Sequence, residues 1–172
     1  TAYVAGTFPE RAVCEIMAWC FAGHALGDLR RFARQALDDT GLDARVTRAL
    51  APVVDWAKNQ RVRMVIISAS PRFIVEEAAR RWDVGPHDIA ATTPAIESGR
   101  MLPRLATPVP YGPTKVVFGR ELFQDSAWLA SFGDSPFDLD MLGAAELAVA
   151  VHPKPALLEA LPALPRSVVL GE

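Results

Sequence analysis

The sequence predicts an α/β fold in which a parallel sheet follows an all-helical N-terminal segment. Apolar residues recur at helical spacing through about the first sixty residues. Short β-branched runs then alternate with further amphipathic segments. Because strands that alternate with helices form parallel sheets with right-handed crossovers, the sheet is expected in the later part of the chain.

Three helices are predicted before the first strand. They cover residues 9–21, about 29–37 and about 43–59. Asp28 is a candidate N-cap of the second helix, since its carboxylate suits that position. Cys14 and Cys20, the two cysteines of the chain, both fall in the apolar pattern of the first helix, which predicts that both pack in the core.

Strands and helices are then expected in alternation. Residues 64–67 form a β-branched run typical of a buried parallel strand, and Ser70 with Pro71 predicts the cap and the first residue of the next helix. A hairpin is predicted with its turn at Ser98 and Gly99. The other predicted elements are strands over residues 88–93, 128–133, 147–151 and 168–170, and helices over residues 114–123 and 156–160.

Three carboxylates crowd the turn that follows the apolar run ending at Gly133: Asp134, Asp138 and Asp140. Open α/β sheets bind ligands at the carboxyl ends of strands, and carboxylates there suit a hard cation such as Mg²⁺. A purely structural interpretation explains part of the pattern. Ser135 and Pro136 suit a helix N-cap and its first residue, and Asp138 then suits the third position. This interpretation leaves Asp134 unexplained.

Two other predicted strand and helix ends carry groups that suit an anion. Ser68 and the Ala69 amide lie just before a helix N-terminus, which attracts negative charge, although a simple strand–helix turn is the alternative. Lys115 lies in the first turn of a helix, where the dipole disfavours a cation. A phosphate or carboxylate partner is therefore expected for it, unless the ammonium is solvated.

In this order and spacing the residues resemble the haloacid dehalogenase (HAD) superfamily, most closely its phosphoserine-phosphatase-like branch (subfamily IB). Residues 65–68 resemble the second motif of that family and Lys115 the third. Gly133, Asp134 and Asp138 resemble the fourth. The resemblance implies a Rossmann-like core over residues 46–172 and a C1-type helical cap over residues 1–45.

The resemblance also implies a role for each matched residue. Asp134 is expected to bind Mg²⁺, with Asp138 as a second metal residue or as its support. Ser68 and the Ala69 amide are expected to hold phosphate oxygens. Lys115 is expected to neutralise the phosphate and the nucleophile, so that Lys115 and Asp134 are the catalytic residues. We expect Ser68, Lys115 and Asp134 to converge on one phosphoryl-sized pocket.

The implied activity is Mg²⁺-dependent hydrolysis of a phosphomonoester through an aspartyl-phosphate. The substrate is expected to be a small phosphorylated molecule, selected by the cap and by residues 95–111. Its identity is not encoded in any motif that we recognise. Arg72 and Arg100 could each reach a carboxylate or phosphate of the substrate, although a solvent-exposed role is favoured for both.

The first motif of the family, Asp-x-Asp-x-Thr after a hydrophobic strand, has no counterpart in the sequence. Asp38-Asp39-Thr40 has the wrong spacing and no preceding strand. In the family this strand lies in the middle of the sheet, between the strands that end at Ser68 and Asp134. Losing it would leave unpaired backbone groups, so we favour an N-terminally shortened sequence over a pseudoenzyme. The chain as written is expected not to turn over substrate.

Other functional classes are less consistent with the sequence. The alternative we retain is a catalytically inactive phosphate- or metal-binding module of the HAD type. A dinucleotide-binding domain is disfavoured because no G-x-G-x-x-G follows a predicted strand. The net charge of −2 argues against a nucleic-acid partner, and no apolar run approaches the roughly 20 residues of a membrane span. Cysteine usage favours a cytoplasmic location. The oligomeric state is not predicted.

Overall fold

The computed structural model describes residues 8–171 and confirms the predicted mixed α/β class. The chain divides into two units. The first comprises Thr1–Val46 and Met64–Pro110, and the second comprises Thr47–Arg63 and Tyr111–Glu172. The cap–core boundary between residues 45 and 46 stays a prediction.

Helices open the first unit. They are α1 (Glu10–Trp19), α2 (Leu26–Asp39) and α3 (Leu42–Arg45). Asp28 lies within the first turn of α2 and not at its cap, because Ala25 is the residue that precedes the helix. A carboxylate in the first turn still favours the positive end of the helix dipole.

The predicted single helix over residues 43–59 is wrong. Its residues form α3, a 3₁₀ turn (Arg48–Leu50) and, in the second unit, α4 (Ala51–Asn59). Val46 and Thr47 interrupt the helix with extended backbone, at ψ values of 129° and 110°. Both side chains are β-branched, which weakens helix propensity at the point of the break.

The first unit contains two small sheets. β1 (Ile66–Pro71) pairs in parallel with β2 (Ile89–Thr92), and α5 (Arg72–Ala79) connects them. β3 (Pro94–Glu97) and β4 (Arg100–Leu105) form the predicted antiparallel hairpin, with left-handed φ angles of 48° at Ser98 and 75° at Gly99.

Ser70 is not the cap that the sequence predicts. β1 continues to Pro71, and α5 begins at Arg72 with Pro71 as its N-cap residue. The Ser70 N–H instead donates to Ser68 Oγ at 3.2 Å, which closes a local turn at the end of the strand. The sequence pattern located the strand–helix junction but assigned the serine side chain incorrectly.

One buried cluster of the first unit forms where α2 and α5 pack together with β4. Phe73, Leu29, Ala33 and Met101 are all at most 3% exposed there. Cys14 is buried, as predicted, whereas Cys20 is exposed. Cys20 lies at the C-cap of α1, beyond the last turn that faces the core, so the helical pattern does not extend to it.

The second unit carries a three-stranded parallel sheet in the order β5–β6–β7. The strands are β5 (Ala130–Gly133), β6 (Leu147–Val151) and β7 (Ser167–Leu170), and the helices are α4, α6 (Thr114–Phe123), α7 (Leu139–Gly143) and α8 (Pro155–Ala160). The buried cluster of this unit consists of Leu142, Ala148, Ala150, Leu157 and Leu161.

Two strands lie at sheet edges next to the candidate site residues. Among residues 8–171, β1 pairs with β2 alone and β5 pairs with β6 alone, so one edge of each has no strand neighbour. Within the same residues, no helix is both long and apolar enough to cross a bilayer.

Candidate active site

The Asp138 carboxylate accepts hydrogen bonds from the backbone of the turn after β5 and so holds that turn closed. Asp138 Oδ2 accepts hydrogen bonds from the Asp134 N–H at 3.2 Å and the Ser135 N–H at 3.1 Å. Ser135 and Asp138 form a capping box, and Pro136 occupies the first helical turn, as the structural interpretation predicts. A single carboxylate oxygen, Asp138 Oδ2, therefore accepts the N–H groups of both Asp134 and Ser135.

Gly133 lets this turn close. A Cβ atom at position 133 would lie 2.6 Å from Asp138 Cβ and 2.9 Å from Asp138 Oδ2. Distances this short are excluded for real side chains, so any larger residue would push the Asp138 carboxylate away from its donors. The close packing of Gly133 against Asp138 thus explains the Gly-Asp-x-x-x-Asp spacing in this chain.

Lys115 forms a buried ion pair with the other oxygen of Asp138. Its ammonium contacts Asp138 Oδ1, and the two residues are 9% and 5% exposed. Lys115 is the second residue of α6, so the carboxylate offsets the unfavourable position of a cation at the positive helix end. The partner that the sequence required for Lys115 is therefore a carboxylate of the same unit.

Asp134 presents its carboxylate to solvent from a fixed backbone. Its N–H donates to Asp138, and its carbonyl oxygen accepts a hydrogen bond from the Lys154 N–H at 2.8 Å. The side chain is 60% exposed, and its Oδ2 lies 3.8 Å from Lys154 Nζ. The main chain is held on both sides while the carboxylate oxygens face outward.

The donor set fits a divalent cation with few protein ligands. Within residues 8–171, no three Asp, Glu, His or Cys side chains gather into a metal-binding cluster. Both Asp138 oxygens already have protein donors, which leaves two exposed carboxylates: Asp134 in the turn and Asp140 in the first turn of α7. Mg²⁺ commonly takes one or two carboxylates and completes its octahedron with water and phosphate oxygens, so this arrangement is compatible with it.

Ser68 and Ala69 lie in β1 of the first unit. The Ser68 hydroxyl oxygen accepts the Ser70 N–H, which leaves its own O–H available as a donor. The Ala69 carbonyl oxygen accepts a hydrogen bond from the buried Thr92 hydroxyl at 2.6 Å. The structure brings Lys115, Asp134 and Asp138 together in the second unit, and the convergence of Ser68 with them stays a prediction.

The two arginines considered for substrate contact are bound to main-chain oxygens. Arg72 donates to the carbonyl oxygens of Pro86 and Ile89, at 2.7 and 3.1 Å. Arg100 donates to the Gly23 carbonyl oxygen at 2.9 Å. Both interactions hold neighbouring segments of the first unit in place, so each arginine has a structural role.

A shallow cavity of about 410 Å³ lies in the first unit. Its lining combines α1, through Arg11, Glu15 and Trp19, with residues 103–109. The N-terminal helices and residues 95–111 are the two segments from which the sequence predicts substrate selection. The cavity shows that both segments contribute to one surface.

Sequence reasoning missed Lys154. This residue lies in the loop after β6, the strand next to β5 in the sheet. Lys154 lies at the carboxyl end of a strand next to β5, and the order of the strands would have placed it beside the Asp134 turn. It was overlooked because the order of strands could not be obtained from periodicity.

The comparisons with known proteins identify the family. The model of the haloacid dehalogenase-like hydrolase family matches residues 1–143. The chain belongs to this family. The resemblance to the HAD superfamily drawn from the three motifs is thereby confirmed, whereas the phosphoserine-phosphatase-like branch stays a prediction. No curated protein matches it.

Two solved structures share the fold of this chain, and a third is similar to part of it. A protein of unknown function from Bordetella pertussis Tohama I is 21% identical with a TM-score of 0.85, over 99% of this chain and 78% of that one. A HAD family hydrolase from Salmonella enterica serovar Typhi is 16% identical with a TM-score of 0.69, over 97% and 54%. A probable phosphoserine phosphatase from Vibrio cholerae is 24% identical with a TM-score of 0.48, over 61% and 32%.

Proposed function

We propose that this chain is the phosphate- and metal-binding part of a Mg²⁺-dependent phosphomonoester hydrolase. The observation that carries the proposal is the buried Lys115–Asp138 ion pair beside the exposed Asp134 carboxylate. A buried ammonium costs desolvation energy, and its second and third N–H donors suit the oxygens of a phosphoryl group. In this proposal Asp134 is the metal ligand, and Asp138 holds the turn in place through its hydrogen bonds to the backbone.

Each residue then has a defined task. Lys115 neutralises charge on the transferred phosphoryl group, and Ser68 with the Ala69 amide holds its oxygens. When bound at Asp134, Mg²⁺ would supply further positive charge against those oxygens. Such preorganised charge is worth most where it faces charge that develops in the transition state. The substrate class is a small phosphorylated molecule.

The covalent step requires an aspartate nucleophile. Its carboxylate oxygen bonds to phosphorus while the ester P–O bond breaks, and a second, acid/base aspartate gives a proton to the leaving alcohol. The same acid/base group then takes a proton from the water that attacks phosphorus, and cleavage of the aspartyl-phosphate releases inorganic phosphate and regenerates the nucleophile. The resemblance assigns both aspartates to a motif without a counterpart in the sequence. We therefore propose that residues 1–172 alone do not complete the reaction.

A panel of small phosphomonoesters tests the proposal. The polypeptide as encoded in its gene, including any residues before Thr1, should release phosphate with Mg²⁺ and not with EDTA. Asp134→Asn should lower the rate by at least about 100-fold. Asp125→Asn is the matched control, because Asp125 is an exposed carboxylate before β5, at the other end of that strand. Full activity of Asp134→Asn, or no phosphate release from any substrate, would contradict the proposal.

A further inference from the structure

The loop that carries Lys154 is pinned on both sides. The His152 N–H donates to the Leu170 carbonyl oxygen of β7 at 3.0 Å, and the Lys154 N–H donates to the Asp134 carbonyl oxygen at 2.8 Å. His152 has a φ of 44°, a left-handed conformation that is costly for a residue with a side chain and especially before proline. The backbone of Lys154 is thus fixed directly beside Asp134.

The side chain of Lys154 is held less firmly than its backbone. Its ammonium lies 3.8 Å from Asp134 Oδ2, and both side chains are about 60% exposed. An exposed ion pair of this kind is weak and exchanges readily with solvent. Within residues 8–171, Lys154 is the cation paired with the carboxylate that the proposed function gives to a metal ion.

We propose that Lys154 competes with the divalent cation for Asp134 and so sets the metal concentration at which the site fills. The inference rests on the proposed function. An ammonium and a metal ion repel each other, so in this proposal the lysine contact is made only when the metal is absent. The contact between Lys154 and Asp134 is lost when the metal binds, and its loss lowers the affinity for the metal. Because the lysine backbone stays pinned, the ammonium returns when the metal leaves.

Binding of Mn²⁺ to the polypeptide as encoded in its gene tests the inference. The free ion is counted by electron paramagnetic resonance, which needs no enzymatic turnover. Lys154→Met should bind Mn²⁺ about two- to five-fold more tightly than wild type, the range expected for one exposed ion pair. Lys154→Arg, which keeps the charge, should stay within about two-fold of wild type.

Arg166→Gln controls for a general effect of charge. Arg166 is exposed and precedes β7, at the opposite end of the parallel strands. An equal gain in affinity for Arg166→Gln, or no gain for Lys154→Met, would overturn the inference. Asp134→Asn separates the two proposals. If that variant still binds Mn²⁺ like wild type, the metal site itself is misplaced; if its binding is lost and Lys154→Met is unchanged, only the competition is wrong.

Discussion

Replacing Asp138 by Asn should destabilise the protein more than replacing Lys115 by Met. Asp138→Asn leaves a buried ammonium without its counter-charge, and removing one partner of a buried ion pair costs about 3–5 kcal/mol. Lys115→Met leaves the carboxylate with its two backbone N–H donors. The expected cost is then that of one charged hydrogen bond, about 1.5–3 kcal/mol.

A double variant shows whether the two effects share one interaction. Once Lys115 is replaced, the change at Asp138 no longer leaves a charge unpaired. The double variant should therefore be at least as stable as Asp138→Asn alone, which makes the coupling energy at least as large as the loss for Lys115→Met, about 1.5–3 kcal/mol. Urea unfolding followed by fluorescence is suitable, because each unit contains two tryptophans: Trp19 and Trp82 in the first, Trp56 and Trp128 in the second. Additive losses, or a smaller loss for Asp138→Asn than for Lys115→Met, would refute this reasoning.

Gly133→Ala and Ser131→Ala test the packing of the same unit, and Gly27→Ala in the first unit serves as a control. Gly133→Ala should lower the free energy of unfolding by more than about 2 kcal/mol, because its Cβ would collide with Asp138. In the matched change Gly27→Ala, the Cβ meets no atom within 4 Å, and thermal unfolding should show a gain of about 0.5–1 kcal/mol. Ser131→Ala should leave the protein at least as stable as wild type, since the buried Ser131 hydroxyl has no partner within residues 8–171. A drop in melting temperature for Ser131→Ala would mean that the hydroxyl is bonded.

The order of the elements could be predicted well from the sequence, because each depends on local patterning. The β-branched runs located the strands, and Ser98 with Gly99 located the hairpin turn. The break at Val46 and Thr47 was missed because the apolar spacing continues across it and only the backbone geometry shows the interruption. Periodicity predicts which residues are apolar on one face but does not show where a helix ends.

The candidate site was only partly predictable for a related reason. The helix dipole indicated that Lys115 needs an anionic partner, yet it could not identify Asp138, which lies 23 positions away. The motif spacing pointed to Asp138 as a metal residue or its support, and its two occupied oxygens favour the supporting role. Lys154 could be found only from the neighbouring positions of β5 and β6 in the sheet.

The most direct test of the central claim is a crystal structure of the encoded polypeptide grown with Mg²⁺ and tungstate, a phosphate analogue. The account predicts one tungstate bound by the Ser68 hydroxyl and the Lys115 ammonium, with Mg²⁺ on the Asp134 carboxylate. Tungstate bound away from Lys115, or Mg²⁺ bound without Asp134, would contradict it.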